Sequence, residues 1–70
     1  MEKIEINTPF IKLDSLLKLS GIAETGGMAK SMIQDGYVHV NGNICTARGK
    51  KIVPGDKIFA VGEELEVVCG

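Results

Sequence analysis

Polar and apolar residues alternate from Glu2 to Asn7, with Ile4 and Ile6 on one face, which predicts a short half-buried strand at a sheet edge. The period then changes. Phe10, Leu13, Leu16 and Leu17 recur at the spacing of one helical face, and Lys12, Asp14, Ser15 and Lys18 fall largely on the other. Thr8 as N-cap and Pro9 at the first helical position place the start of this helix, because proline has no N–H to leave unpaired there. Gly21 ends it, with Ile22 folding back as the hydrophobic contact of a Schellman-type cap. A second helix is predicted from Thr25, an N-cap residue, through the apolar stripe of Ala29, Met32 and Ile33 to a left-handed stop at Gly36. Tyr37 to Val40 reads as strand, and Asn41-Gly42 as a type I′ hairpin turn, which needs positive φ at both central residues. Asn43 to Thr46 is the return strand and Ala47 to Lys51 a basic loop. Pro54-Gly55 has the order of a type II turn that the Asp56 side chain can close. Lys57 to Val61 and Glu64 to Val68 are two further strands, turning at Gly62-Glu63. The predicted class is α+β, two helices packed on a small, mostly antiparallel sheet.

Composition narrows this picture. Seventy residues form one domain, 1–70, and the absence of Trp leaves an aliphatic core. The net charge of −1 conceals a segregation: Lys12 to Lys57 carries +3, while the flanks, with Glu2, Glu5, Glu63, Glu64 and Glu66 against Lys3, carry −4. Local field, rather than the total, steers a charged partner. Cys45 and Cys69, far apart and in no metal-ligand spacing, read as unpaired thiols, so no disulfide, metal or cofactor is expected. The acidic N-terminus without an apolar run argues against export or membrane insertion and for the cytoplasm.

Little in the chain supports catalysis. His39, between Val38 and Val40, falls on the polar side of its strand, and no nucleophile–base set or phosphate-binding loop is present. The basic residues say more. Arg48, Lys50 and Lys51 crowd the loop after the hairpin, and Lys12 and Lys30 come from the two helices. Gly26-Gly27 opens the second helix at a cost in helix propensity. The pair can turn the chain tightly between helices and can leave the Gly26, Gly27 and Met28 amides open to a phosphate, two compatible readings. Together these groups can follow a nucleic-acid backbone, with Lys18 and Gln34 as weaker candidates.

Ile11-Lys12-Leu13-Asp14 with Leu17, then Ala29, Ile33, Gly36, Val38, Val40-Asn41-Gly42, and Val53-Pro54-Gly55-Asp56 with Ile58, resemble the S-four RNA-binding domain, whose core is the αL motif. The resemblance covers about residues 10–61. It implies two helices on a small curved sheet, with structured RNA, often ribosomal or transfer RNA, across the helix and loop face. The chain resembles the small stand-alone bacterial members, which share the Thr-Gly-Gly and Arg-Gly-Lys-Lys patterns. It departs from the usual pattern at the second helix start, where Thr25-Gly26 replaces Ser-Arg, and at Lys12, where arginine is frequent. The latter keeps charge but loses a bidentate fork.

The expected function is a non-catalytic, monomeric RNA-binding module acting on ribosomal or other structured RNA, with ribosome-associated proteins as further partners. Its expected RNA contacts are Lys12, Thr25, Gly26, Gly27, Lys30, Arg48, Lys50 and Lys51. Two alternatives stand beside it. A ubiquitin-like sulfur carrier shares Val-x-Val-Asn-Gly but needs a terminal Gly-Gly, whereas this sequence closes on Cys69-Gly70. A protein-interaction module would use the aliphatic helix face.

Overall fold

A computed structural model describes residues 2–70. Along the chain it forms β1 (Glu2–Ile6), β2 (Ile11–Lys12), α1 (Leu13–Leu19), α2 (Gly26–Gln34), β3 (Val38–Val40), β4 (Asn43–Ile44), β5 (Lys51–Ile52), β6 (Lys57–Ala60) and β7 (Glu63–Cys69). The main sheet has the order β1-β7-β6-β3-β4, and β2 and β5 make a separate two-stranded ribbon. All pairings are antiparallel except β1 with β7, which run parallel from Glu2 opposite Leu65 to Ile6 opposite Cys69.

Period-two alternation turns Val38, Val40, Ile58, Ala60, Leu65, Val67 and Ile6 toward the helices, where they are buried. Leu13, Leu16 and Leu17 of α1, Ala29 and Ile33 of α2, and Ile52 of the ribbon close the core from the other side. The α+β class, two helices against a mostly antiparallel sheet, is the observed one.

The first helix begins later than the sequence predicts. Thr8 does not cap it: its hydroxyl donates to the Phe10 carbonyl at 2.7 Å, and the chain stays extended through Lys12 (φ −71°, ψ 146°). Ribbon pairing of Ile11 with Ile52 and Lys12 with Lys51 holds these residues out of the helix. Phe10 and Lys12 are therefore not helical, and α1 starts at Leu13 without a side-chain cap. Its leading amides are paired from outside, Leu13 N–H with the Lys50 carbonyl (2.9 Å) and Asp14 N–H with the Arg48 carbonyl (3.2 Å). These bonds satisfy donors that a helix start leaves open.

The second helix follows the sequence reading closely. The Thr25 hydroxyl accepts from the Met28 amide at 3.1 Å, the geometry of an N-cap. At the other end the Tyr37 amide donates to the Met32 carbonyl and the Gly36 amide to that of Ile33, the two bonds of a Schellman motif, with Gly36 at φ 82°. The Asn41-Gly42 turn has φ of 52° and 87°, as type I′ requires. The return strand is shorter than expected, Asn43–Ile44, although the Cys45 amide still reaches the Val38 carbonyl at 2.9 Å.

The β6–β7 turn lies one residue earlier than predicted. Its positive-φ residues are Val61 (43°) and Gly62 (78°), so β6 ends at Ala60 and Glu63 already belongs to β7. Val61 is a β-branched residue in left-handed conformation, at a cost of ~1–2 kcal/mol. In this register Ile58 stands opposite Leu65, with both side chains in the core.

Candidate nucleic-acid interface

The sequence signature Val40-Asn41-Gly42 and Val53-Pro54-Gly55-Asp56 forms one hydrogen-bonded clamp. Asn41 exchanges two bonds with the Lys57 backbone: its amide donates to the carbonyl at 2.7 Å and its Oδ1 accepts from the N–H at 2.9 Å. The Asn41 Nδ2 donates to Asp56 Oδ1 at 3.1 Å, while Asp56 Oδ2 accepts the Val53 amide at 3.0 Å. The β3–β4 hairpin is thereby fixed to the turn before β6. Since β5 leads directly into that turn, the clamp also fixes the C-terminal end of the basic loop.

That loop is drawn onto the start of α1 by the carbonyls of Arg48 and Lys50, which take the leading α1 amides, and Lys51 stands directly opposite Lys12 in the ribbon. Like charges facing each other across antiparallel strands destabilise the pairing. No carboxylate among the described residues accepts a hydrogen bond from Lys12, Arg48, Lys50 or Lys51; the nearby Asp14 Oδ1 takes the Ser15 amide at 2.7 Å instead. The Lys51 ammonium lies 4.9 Å from the centre of the Phe10 ring, a cation–π contact. The first cluster thus consists of Lys12, Arg48, Lys50 and Lys51, all exposed.

A second cluster gathers about the N-terminus of α2. A Cβ added at Gly26 would lie 4.0 Å from Cδ of Lys18, so the Lys18 side chain runs beside the helix start. Gly26, Lys30 and Gln34 are spaced by four, and all three are exposed along one stripe of α2. The Met28 amide, expected to be open, is taken by the Thr25 hydroxyl, which leaves the Gly26 and Gly27 amides as the donors of this helix start without a partner among the described residues. Both glycines lie within the helix itself. Neither has a positive φ, and the nearest atoms to an added Cβ are 4.0 Å away at Gly26 and 3.8 Å at Gly27, ordinary contact distances.

Helix α1 joins the two clusters. Its seven residues span about 10 Å, with the basic loop at its first turn and Lys18 in its last. Helical periodicity puts Lys12 on this helix; it belongs instead to the ribbon at the helix entrance. Two features bring the groups together. One is the pairing of the loop carbonyls with the α1 amides, for which local sequence carries no signal. The other is the Asn41–Asp56 clamp, whose signal is present in the Asn-Gly and Gly-Asp pairs. Among the described residues no group of three His, Cys, Asp or Glu side chains is placed to hold a metal ion, and no helix is long and apolar enough to cross a membrane.

Known proteins match this chain over nearly its whole length. A family model described as the S4 domain matches residues 4–68. YbcJ of Escherichia coli K12 is 40% identical over 61 residues, covering 87% of each chain. The "Probable ribosome maturation protein RlbA" of Bacillus subtilis 168 is 38% identical over 59 residues, covering 84% of this chain and 83% of its own. The solution structure of E. coli YbcJ, described as revealing an αL motif involved in RNA binding, superposes with a TM-score of 0.75 at 36% identity, over 97% of this chain and 87% of YbcJ. Matched in sequence from the first strand to the last and in fold throughout, the chain belongs to the S4 domain family.

Proposed function

We propose that this protein is a non-catalytic RNA-binding module that holds structured RNA, ribosomal RNA foremost, across the face formed by the basic loop, the ribbon and the N-terminus of α2. The observation that carries this reading is the apposition of Lys12 and Lys51 with Arg48 and Lys50 around the α1 entrance. The fold sets cations against one another there, and a polyanion relieves the repulsion. The description of YbcJ as carrying an RNA-binding motif and the name of RlbA as a ribosome maturation protein agree with it. In this reading a first group of neighbouring phosphates is held by Lys12, Arg48, Lys50 and Lys51. A second sits over Gly26 and Gly27, where unbonded amides at the positive end of α2 meet Lys18 and Lys30, with Thr25 shaping the helix start and Gln34 extending the stripe. The protein acts as a monomer in a bacterial cytoplasm.

The sulfur-carrier alternative asks for glycines on a free tail. The Gly70 amide instead donates to the Ile6 carbonyl at 3.0 Å and continues the β1–β7 pairing.

The glycines provide the test. Alanine at positions 26 and 27 meets no obstruction and removes a helix-propensity cost, so the Gly26→Ala, Gly27→Ala double variant is expected to be more stable, by about 0.5–1 kcal/mol in thermal unfolding. Two methyl groups over the open amides are expected to weaken binding to a ribosomal RNA hairpin several-fold in the same preparation. Stability gained with affinity unchanged would remove the α2 start from the interface.

A further inference from the structure

The outer side of the β2–β5 ribbon carries more than charge. Ile52 is buried and Ile11 packs against the core, so the residues on either side of them point the other way. Lys12 stands opposite Lys51, and the register continued by one residue sets Phe10 opposite Val53. Two cations and two apolar side chains therefore share one surface. Phe10 is 37% exposed and Val53 44%, and neither belongs to the core cluster. The Lys51 ammonium, 4.9 Å from the centre of the Phe10 ring, reaches it along the diagonal of the ribbon. Because Lys51 is itself exposed, the ring face beneath it is the outward one.

Phosphate binding alone has no use for an aromatic ring at this place. A paired duplex presents phosphates and sugars to such a surface and keeps its bases stacked inside, out of reach of Phe10 and Val53. An unpaired nucleotide offers both parts at once, a phosphate for a cation and a flat base for a ring. The ribbon holds that combination within one diagonal step. Asp56, the carboxylate closest to Val53 along the chain, is turned into the clamp: its Oδ1 accepts from the Asn41 side chain and its Oδ2 from the Val53 amide.

We propose that the outer face of the ribbon is a subsite for one unpaired nucleotide, whose base stacks on Phe10 and against Val53 while its flanking phosphates meet Lys12 and Lys51. The Lys51 ammonium turns from the ring to the phosphate as the base takes its place. This subsite rests on the RNA-binding function proposed above and adds a preference to it: the RNA is held at a loop or bulge, not along an uninterrupted duplex. Lys12 and Lys51 supply charge neutralisation, and Phe10 decides which kind of strand the face accepts.

Two substitutions of the full chain test this. Phe10→Leu removes the ring and leaves an apolar side chain; Phe10→Trp keeps a ring and gives the chain, which has no Trp of its own, a local fluorophore. Each is titrated over a salt series with an RNA hairpin carrying an adenine-rich loop, and with a blunt duplex of the same stem sequence. The parent is expected to bind the hairpin more tightly than the duplex by roughly fivefold or more, and Phe10→Leu to lose that margin while binding the duplex as the parent does. Stacking releases no counterions, so Phe10→Leu should keep the parent's salt slope. Phe10→Trp should retain the preference, its emission quenched at saturation by the hairpin and not by the duplex. Equal binding of both RNAs by the parent, a preference that survives Phe10→Leu, or emission unchanged by the hairpin would overturn the subsite and leave the RNA-binding function standing. So would a Phe10→Leu variant weakened equally on hairpin and duplex, since the ring would then act through the fold. A parent that binds neither RNA would overturn the function itself, and the subsite with it.

Discussion

Replacing Lys50 and Lys51 together by alanine is expected to lower affinity for a ribosomal RNA hairpin by roughly ten- to thirtyfold at 0.1 M salt. It should also flatten the log–log dependence of affinity on salt by about 1.4, or 0.7 for each phosphate no longer neutralised, a slope taken from single strands. The effect is large because the two lysines occupy different parts of one cluster. The Lys50 carbonyl pairs with the first amide of α1, and Lys51 faces Lys12 across the ribbon. Stability should change in the opposite sense or not at all, since removing Lys51 relieves the repulsion from Lys12. Fluorescence anisotropy across a salt series, with thermal unfolding of the same samples, reads both. Equal slopes for parent and variant would exclude the loop from the interface.

The second large effect concerns the clamp. Asn41→Ala removes the acceptor for the Lys57 amide and the donor to Asp56, and places a Cβ without local hydrogen bonds at φ 52°. Each hydrogen bond removed costs about 1 kcal/mol, and the left-handed conformation about 1 kcal/mol more without the asparagine side chain. A loss of about 2–3 kcal/mol is expected, a large share of the stability of a domain this small. Denaturant unfolding measures it. Asn41→Gly separates the causes, for it keeps the conformation and loses only the side-chain bonds, and should recover about 1 kcal/mol relative to alanine. If the two variants unfold at the same denaturant concentration, the backbone part of this explanation is wrong.

The same clamp shows which features of the fold can be read from the chain. Asn41-Gly42, Pro54-Gly55-Asp56, the Thr25 cap and the Gly36 stop are each set by local backbone chemistry, and each is found where the sequence puts it. Features that depend on distant partners are not legible. Thr8-Pro9 has every local mark of a helix start, yet Ile11 and Lys12 are held extended by Lys51 and Ile52, from the far side of both helices and the hairpin. The parallel pairing of β1 with β7 is likewise a tertiary choice that neither strand announces. At the β6–β7 turn, glycine at 62 marks the place, but pairing of Ala60 with Glu63 sets the turn one residue back, onto Val61.

For the candidate interface, the charged residues can be named from the chain but not grouped. Lys12 lies at the ribbon and not on the helix. Lys18, a weaker candidate on sequence alone, runs beside Gly26 because α1 packs against α2. Distances of this kind arise from packing of the two helices and have no counterpart in spacing along the chain.

In the proposed mode of binding α1 joins two cationic clusters into one RNA-binding face. Amide shift mapping of the nitrogen-15-labelled chain, titrated with a ribosomal RNA hairpin, tests it most directly. Shifts should be largest, and should saturate together, at Gly26, Gly27 and Lys30 at one end and at Lys12, Arg48, Lys50 and Lys51 at the other. Shifts confined to one cluster, or centred on His39 and Phe59 of the opposite face, would contradict it.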